Sequence, residues 1–276
     1  MDLIGHCAVA ELSGVLREEE VYGTGIVELM FLNFAHCHDW AYSHCWEPQR
    51  YRGLERTAER IRAHMICDWV IHYGTERTHV KEKCGWAFQR MKIADWFSNE
   101  FFLGAAARGF FKSKAPDPSS WNEKKRLDFA HSFVEYASDI LLARRAITAV
   151  RFRAIKDGLV RLACHEGYGS DRWVFDMFDQ LGITSDQSRE FISASVHQMA
   201  RDATESSCPE EFATRTAIHK YGLRADPEVI RYVRSYLERI AAELDEDELV
   251  ALCHQIGRVI RDPGTIYTGP WRKGSS

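Results

Sequence analysis

The sequence predicts an all-α protein, a multi-helix bundle with a metal site between helices of its N-terminal half. Three observations predict it. Apolar residues recur at three- and four-residue spacing through most of the 276 residues. No alternating strand pattern persists for more than a few positions. Histidines and carboxylates recur four apart within otherwise apolar stretches, the spacing that stacks side chains along one helical face.

The periodicity predicts helices over 3–16, 21–40, 54–74, 82–112, 122–150, 171–181, 185–203, 209–221, 226–244 and 246–261. Asp226-Pro227-Glu228 reads as an N-cap followed by proline at the first helical position. Thr184-Ser185-Asp186 reads as a cap for the helix expected after it. The stretch KSKAPDPSSWNEKK (112–125), with two prolines and two serines, is the clearest loop. Eight of the twelve histidines fall within the first 131 residues. Residues 1–155 are therefore read as a metal-binding catalytic core, 156–265 as a helical extension packed on it in one compact unit, and 266–276 as a disordered tail.

Composition narrows the function classes. With 45% hydrophobic residues the chain can bury a real core. Its net charge of -4 and the lack of a basic tract argue against stable nucleic-acid binding. No window is apolar enough for a membrane helix and the first residues do not read as an export signal, so a cytoplasmic location is expected. The eight cysteines form no CxxC pair and read as buried thiols in a reducing compartment. Nothing in the sequence sets an oligomeric state.

Three segments carry the chemistry. In RIRAHMICDWVIHYG, His64, Asp68 and His72 occupy one stripe of a helix that is apolar nearly all round. Burying three ionisable groups is costly unless each has a partner, and a metal ion is the common partner for two imidazoles and a carboxylate. In LDFAHSFVEYASDIL, His131 and Glu135 repeat the four-residue spacing, with Asp139 one turn further along. NFAHCHDWAYSHCW adds His36, His38, Asp39 and His44, and His6 lies in the first helix. Imidazole and carboxylate donors without thiolate pairs suit zinc. Seven or eight ligands from four helices are too many for one tetrahedral ion and suit two or three. Such a site generates hydroxide near neutral pH and binds phosphate oxygens. Asp68 is the candidate bridging carboxylate, and Asp39 or Asp68 the candidate group that orients the water or acts as base.

The order of these ligands resembles the zinc-dependent phospholipase C family, whose fold is shared with the fungal single-strand nucleases. That family runs as an early His, an Asp after a helix, a His soon after, an HxxxD helix with another His beyond it, and an HxxxE helix. Here the order is matched by His6, Asp39, His44, His64 with Asp68, His72, and His131 with Glu135, over roughly residues 6–139. The resemblance implies an all-α fold, a three-zinc site and phosphoester hydrolysis. It implies that Asp39, His44, His64 and Asp68 hold one zinc, that His72, His131 and Glu135 hold a second, and that His6 helps Asp68 hold the third. Exported members of that family bind metal through the amine of an N-terminal Trp, where this sequence has Met1, so two ions are as compatible as three. The stretch between the HxxxD and HxxxE helices is long here, and His79 competes with His72 as the histidine beyond Asp68.

The expected activity is hydrolysis of a phosphate ester, a phosphomonoester or phosphodiester of a small molecule or lipid, by metal-bound hydroxide. A rival reading uses His6, the His38-Asp39 pair and Asp139 as the iron or manganese ligands of an HD-domain-type phosphohydrolase or di-iron oxygenase. A third is a non-catalytic helical interaction protein with buried histidines. No GxSxG or Walker pattern is present, and Cys164-His165 alone makes no dyad. His197 with Asp202 and His254 with Asp262 read as surface or capping pairs.

Overall fold

The computed structural model describes residues 3–14, 63, 66–68, 70–72, 74, 85–163 and 186–262. In chain order the first elements are α1 (Leu3–Ser13), α2 (Trp86–Gln89), α3 (Met91–Ala107), a 3-10 turn (Pro118–Ser120), α4 (Glu123–Ala146) and α5 (Ala149–Ala163). They are followed by α6 (Asp186–Glu205), α7 (Pro209–Lys220), α8 (Pro227–Ala241) and α9 (Glu246–Arg261). The described residues between 63 and 72 are helical too. No strand occurs among the described residues, where an isolated antiparallel bridge joins Phe111 to Leu223. The architecture is an all-α bundle, and none of its described helices is long and apolar enough to cross a membrane.

Local chemistry sets the helix ends. Asn122 accepts a hydrogen bond from the Lys125 amide at 2.9 Å and starts α4, with Glu123 in its first turn and Arg144 and Arg145 in its last, each suited to the helix dipole. Asp226 and Asp245 cap α8 and α9 in the same way, through the amides of Val229 and Glu248. The expected 82–112 helix is two elements, broken at Arg90, where φ is -101° and ψ 0°. The expected 122–150 helix ends at Ala146. A new helix begins two residues beyond Ile147, with the Thr148 hydroxyl accepting from the Arg151 amide at 3.3 Å. The division at 155/156 therefore falls inside α5. Residues 266–276 lie outside the described residues.

The 24-residue α4 is the centre of the bundle, packed by α1, α3, α7, α8 and α9. Phe133 on α4 and Phe101 and Phe102 on α3 are fully buried. Phe101 meets Phe102 edge-on at 5.1 Å and Phe133 at 4.9 Å, and Tyr221, Tyr232 and Tyr236 close the cluster around it. Helices α3 and α7 end alike. Gly109 and Gly222 take positive φ, and the amides of Phe110 and Leu223 bond back to the carbonyls of Ala105 and Ile218. These two endings lie side by side: the Lys112 amide bonds to Gly222 O at 3.0 Å and the Arg224 amide to Phe110 O at 2.9 Å.

Helix α1 is held between α4 and α9. Arg261 donates to the Ser13 carbonyl at 2.7 Å, satisfying the exposed end of α1, and Arg151 pairs with Glu11. The crossing with α9 is close because Gly257 has no side chain: a Cβ there falls 2.5 Å from Ser13 O and 2.8 Å from Ser13 Cβ. The obstacle is partly backbone and cannot swing aside. Gly257→Ala is expected to destabilise the protein by about 1–3 kcal/mol, read from chemical denaturation. A wild-type midpoint refutes this crossing.

Candidate metal centre

Helix α4 places His131 and Glu135 one turn apart, and Glu135 Oε1 lies 3.3 Å from His131 Nε2. The 63–72 segment brings His72 to the same oxygen, with Nε2 at 2.8 Å. His72 Nδ1 lies 2.7 Å from the carbonyl of Asp68, a turn earlier, so that nitrogen carries a proton and donates it to the backbone. Nε2 then faces the carboxylate either as the second N–H of an imidazolium or as a lone pair sharing a cation with it. The same ring nitrogen can hold a proton or a metal.

The donor atoms of His72, His131 and Glu135 all lie within 4.8 Å of one another. Around a zinc ion with bonds of ~2.1 Å, tetrahedral neighbours lie roughly 3.4 Å apart, so small shifts admit an ion. His131 Nε2 is buried, and among the described residues it makes no well-aligned hydrogen bond, Glu135 Oε1 standing 3.3 Å away. The three side chains keep about 15% of their surface (16%, 15% and 15%), enough for a further donor to reach an ion from outside. Phe88, from α2, stacks on His131 with ring centroids 4.3 Å apart and planes 6° from parallel, and meets His72 at 5.6 Å. Helix α2 is fixed against this segment by the Gly85 amide, which bonds to His72 O at 2.8 Å.

Electrostatics follow the geometry. Burial pushes the Glu135 carboxyl up, but the flanking imidazoles of His131 and His72 outweigh it and hold it well below the usual range. Burial disfavours charge on His72, yet the Glu135 carboxylate beside it more than offsets this and raises His72 above its ordinary 6.5. Burial raises the Cys7 and Cys253 thiols to about 12 and Cys67 well above its usual value, so these thiols stay protonated and the donors are nitrogen and oxygen.

A pH dependence follows. Glu135, depressed in the fold, contributes stability above its ordinary 4.5 and loses it as pH falls through its folded value. His72, raised, contributes below 6.5 and loses it as pH rises through its folded value. The metal-free protein is expected to gain most from this pair between those two ordinary values, and His72→Ala to remove the decline on the alkaline side. A metal held by this group would have to displace the His72 proton, so its affinity is expected to fall with acidification, with a proton released on binding near neutral pH. Calorimetric titration in buffers of different ionisation enthalpy reads the proton directly; an identical heat in all of them contradicts it.

The other expected ligands divide into two groups. His6 Nε2 lies 3.2 Å from Asp68 Oδ1, and both side chains are 2–3% exposed, so α1 and the 63–72 segment share a buried pair of their own. Asp139, one turn beyond Glu135, is fully buried. Neither it nor the His6–Asp68 pair belongs to the three-donor group among the described residues. His36, His38, Asp39, His44, His64 and His79 lie outside the described residues.

Two features have no counterpart in the sequence reading. One is Phe88, whose contact with residue 131 is purely tertiary. The other is the partner of Asp202, which is His219 at 2.9 Å rather than His197. A five-residue offset on α6 places His197 well round the helix from Asp202, whereas α7 delivers His219 directly. Gln198 and Lys112 bond to the His219 ring from either side, at 3.0 and 3.2 Å. No family model, curated protein or solved structure matches the chain.

Proposed function

We propose that the protein is a zinc-dependent hydrolase of phosphate esters, acting on a phosphomonoester or phosphodiester of a small molecule or lipid. The observation that carries this reading is the convergence of two imidazoles and one carboxylate, His72, His131 and Glu135, in a partly open position. Three protein ligands with room for a fourth is the arrangement of catalytic zinc, as against the closed four-ligand set of structural zinc. Bound there, zinc supplies Lewis-acid charge for the phosphate oxygens and activates water near neutral pH. Glu135 offsets part of the ion's charge, and the Asp68 carbonyl fixes the tautomer of His72 so that Nε2 presents its lone pair.

Asp68 with His6 is the candidate for a further ion, joined in this proposal by Asp39, His44 and His64; Asp39 or Asp68 orients the attacking water. The free thiols of Cys7, Cys67, Cys208 and Cys253 suit a reducing compartment such as the cytoplasm. The same donor set also suits iron(II), one of the two metals, with manganese, of the rival reading through His6, His38, Asp39 and Asp139. Element analysis of the purified protein separates the two. A panel of p-nitrophenyl phosphate, bis-p-nitrophenyl phosphate and a glycerophospholipid then tests turnover. Bound zinc with EDTA-sensitive hydrolysis supports the proposal. A protein without metal, whose melting responds neither to EDTA nor to added zinc, is a non-catalytic helical protein instead.

A further inference from the structure

An imidazole that binds metal must have its ring plane fixed, because rotation about the Cβ–Cγ bond of histidine is loosely restrained. The usual device is a hydrogen bond from the second ring nitrogen. His72 has one, to the Asp68 carbonyl at 2.7 Å. The second nitrogen of His131, Nδ1, has no hydrogen bond among the described residues, while its Nε2 faces Glu135 Oε1 at 3.3 Å. What His131 has instead is a parallel aromatic face, Phe88 at 4.3 Å and 6°. Turning the imidazole out of its plane drives a ring edge into that face. Phe88 is itself immobilised: it is 9% exposed, and α2 is tied to the His72 carbonyl through the Gly85 amide. Its ring also meets His72 at 5.6 Å and 52°, so one side chain touches both imidazoles.

We propose that Phe88 is the positioning residue of His131, ring stacking taking the place of the orienting hydrogen bond. The inference rests on the metal reading of His72, His131 and Glu135. It is tested on the full chain with Co2+ as probe, following the visible absorption of the bound ion. Phe88→Leu keeps an apolar side chain but removes the aromatic face. It is expected to weaken Co2+ binding about ten-fold and to change the absorption bands, the low end of what losing an orienting partner costs. Phe88→Tyr, which keeps the face, is expected to restore both. Metal-free melting of each variant separates loss of fold from loss of orientation. Should Phe88→Leu not fold, Phe88→Met against Phe88→Tyr makes the same comparison. Wild-type affinity and spectrum in a folded Leu or Met variant overturn the role of Phe88 alone. A wild-type protein that binds no Co2+ overturns the metal reading and this inference with it.

Discussion

A Glu135→Ala variant is expected to bind zinc about a hundred-fold more weakly than the wild type, and to lose phosphoester turnover by about a thousand-fold or more. Glu135 Oε1 is the atom that both imidazoles approach, at 2.8 and 3.3 Å, so its removal leaves two neutral donors with nothing to offset the ion's charge. The variant also removes the group that raises His72, whose hold on its proton should weaken, so that the alkaline decline in metal-free stability is lost. Glu135→Gln separates charge from shape: it keeps an oxygen donor of similar size and should fall between wild type and Ala. His219→Gln alters a histidine–carboxylate pair outside the three-donor group and should leave zinc affinity unchanged. Element analysis, competition with a chelating dye and the phosphoester panel read all three. Full zinc content and turnover in Glu135→Ala removes this residue from the site and ends the catalytic proposal.

Phe101→Ala should be the most destabilising of the substitutions considered, costing about 3–5 kcal/mol in urea denaturation. Phe101 is fully buried and its ring contacts five others, from α3, α4, α8 and the end of α7. Truncation loses the transfer free energy of the ring and leaves a cavity walled by aromatic groups too large to close it. The midpoint should fall with little change in slope. A loss below about 1 kcal/mol means that the neighbouring rings collapse into the space and that the packing is looser than the ring geometry implies.

Much of this was legible in the sequence, for reasons that can be named. The four-residue spacing of His131 and Glu135 is a local property of one helix, and the N-cap of α8 is a single-residue signal. His72 was legible as a polar residue on a buried helix that required a partner. Spacing does not say which partner it takes, because Glu135 lies more than sixty residues away; only the resemblance grouped His72 with His131 and Glu135. The break between α4 and α5 at Ile147-Thr148 has no signal in the sequence because it carries neither glycine nor proline; the Thr148 hydroxyl supplies the cap. Phe88 falls within the expected 82–112 helix without any reading of its own, and its ring is buried. Its stacking on an imidazole of another helix is a property of the assembled bundle and has no signature in spacing.

The clasp between α1 and α9 bears on the order in which the protein can be assembled. Arg261 and the Ser13 carbonyl it satisfies are 248 residues apart in sequence. During synthesis the helix bearing His6 emerges long before the helix that clamps it. Closing so long a span carries an entropic penalty that only late, cooperative docking recovers. The contact of α1 with α9 can form only once residue 261 has been made, whereas that of α1 with α4 needs the chain only as far as residue 146.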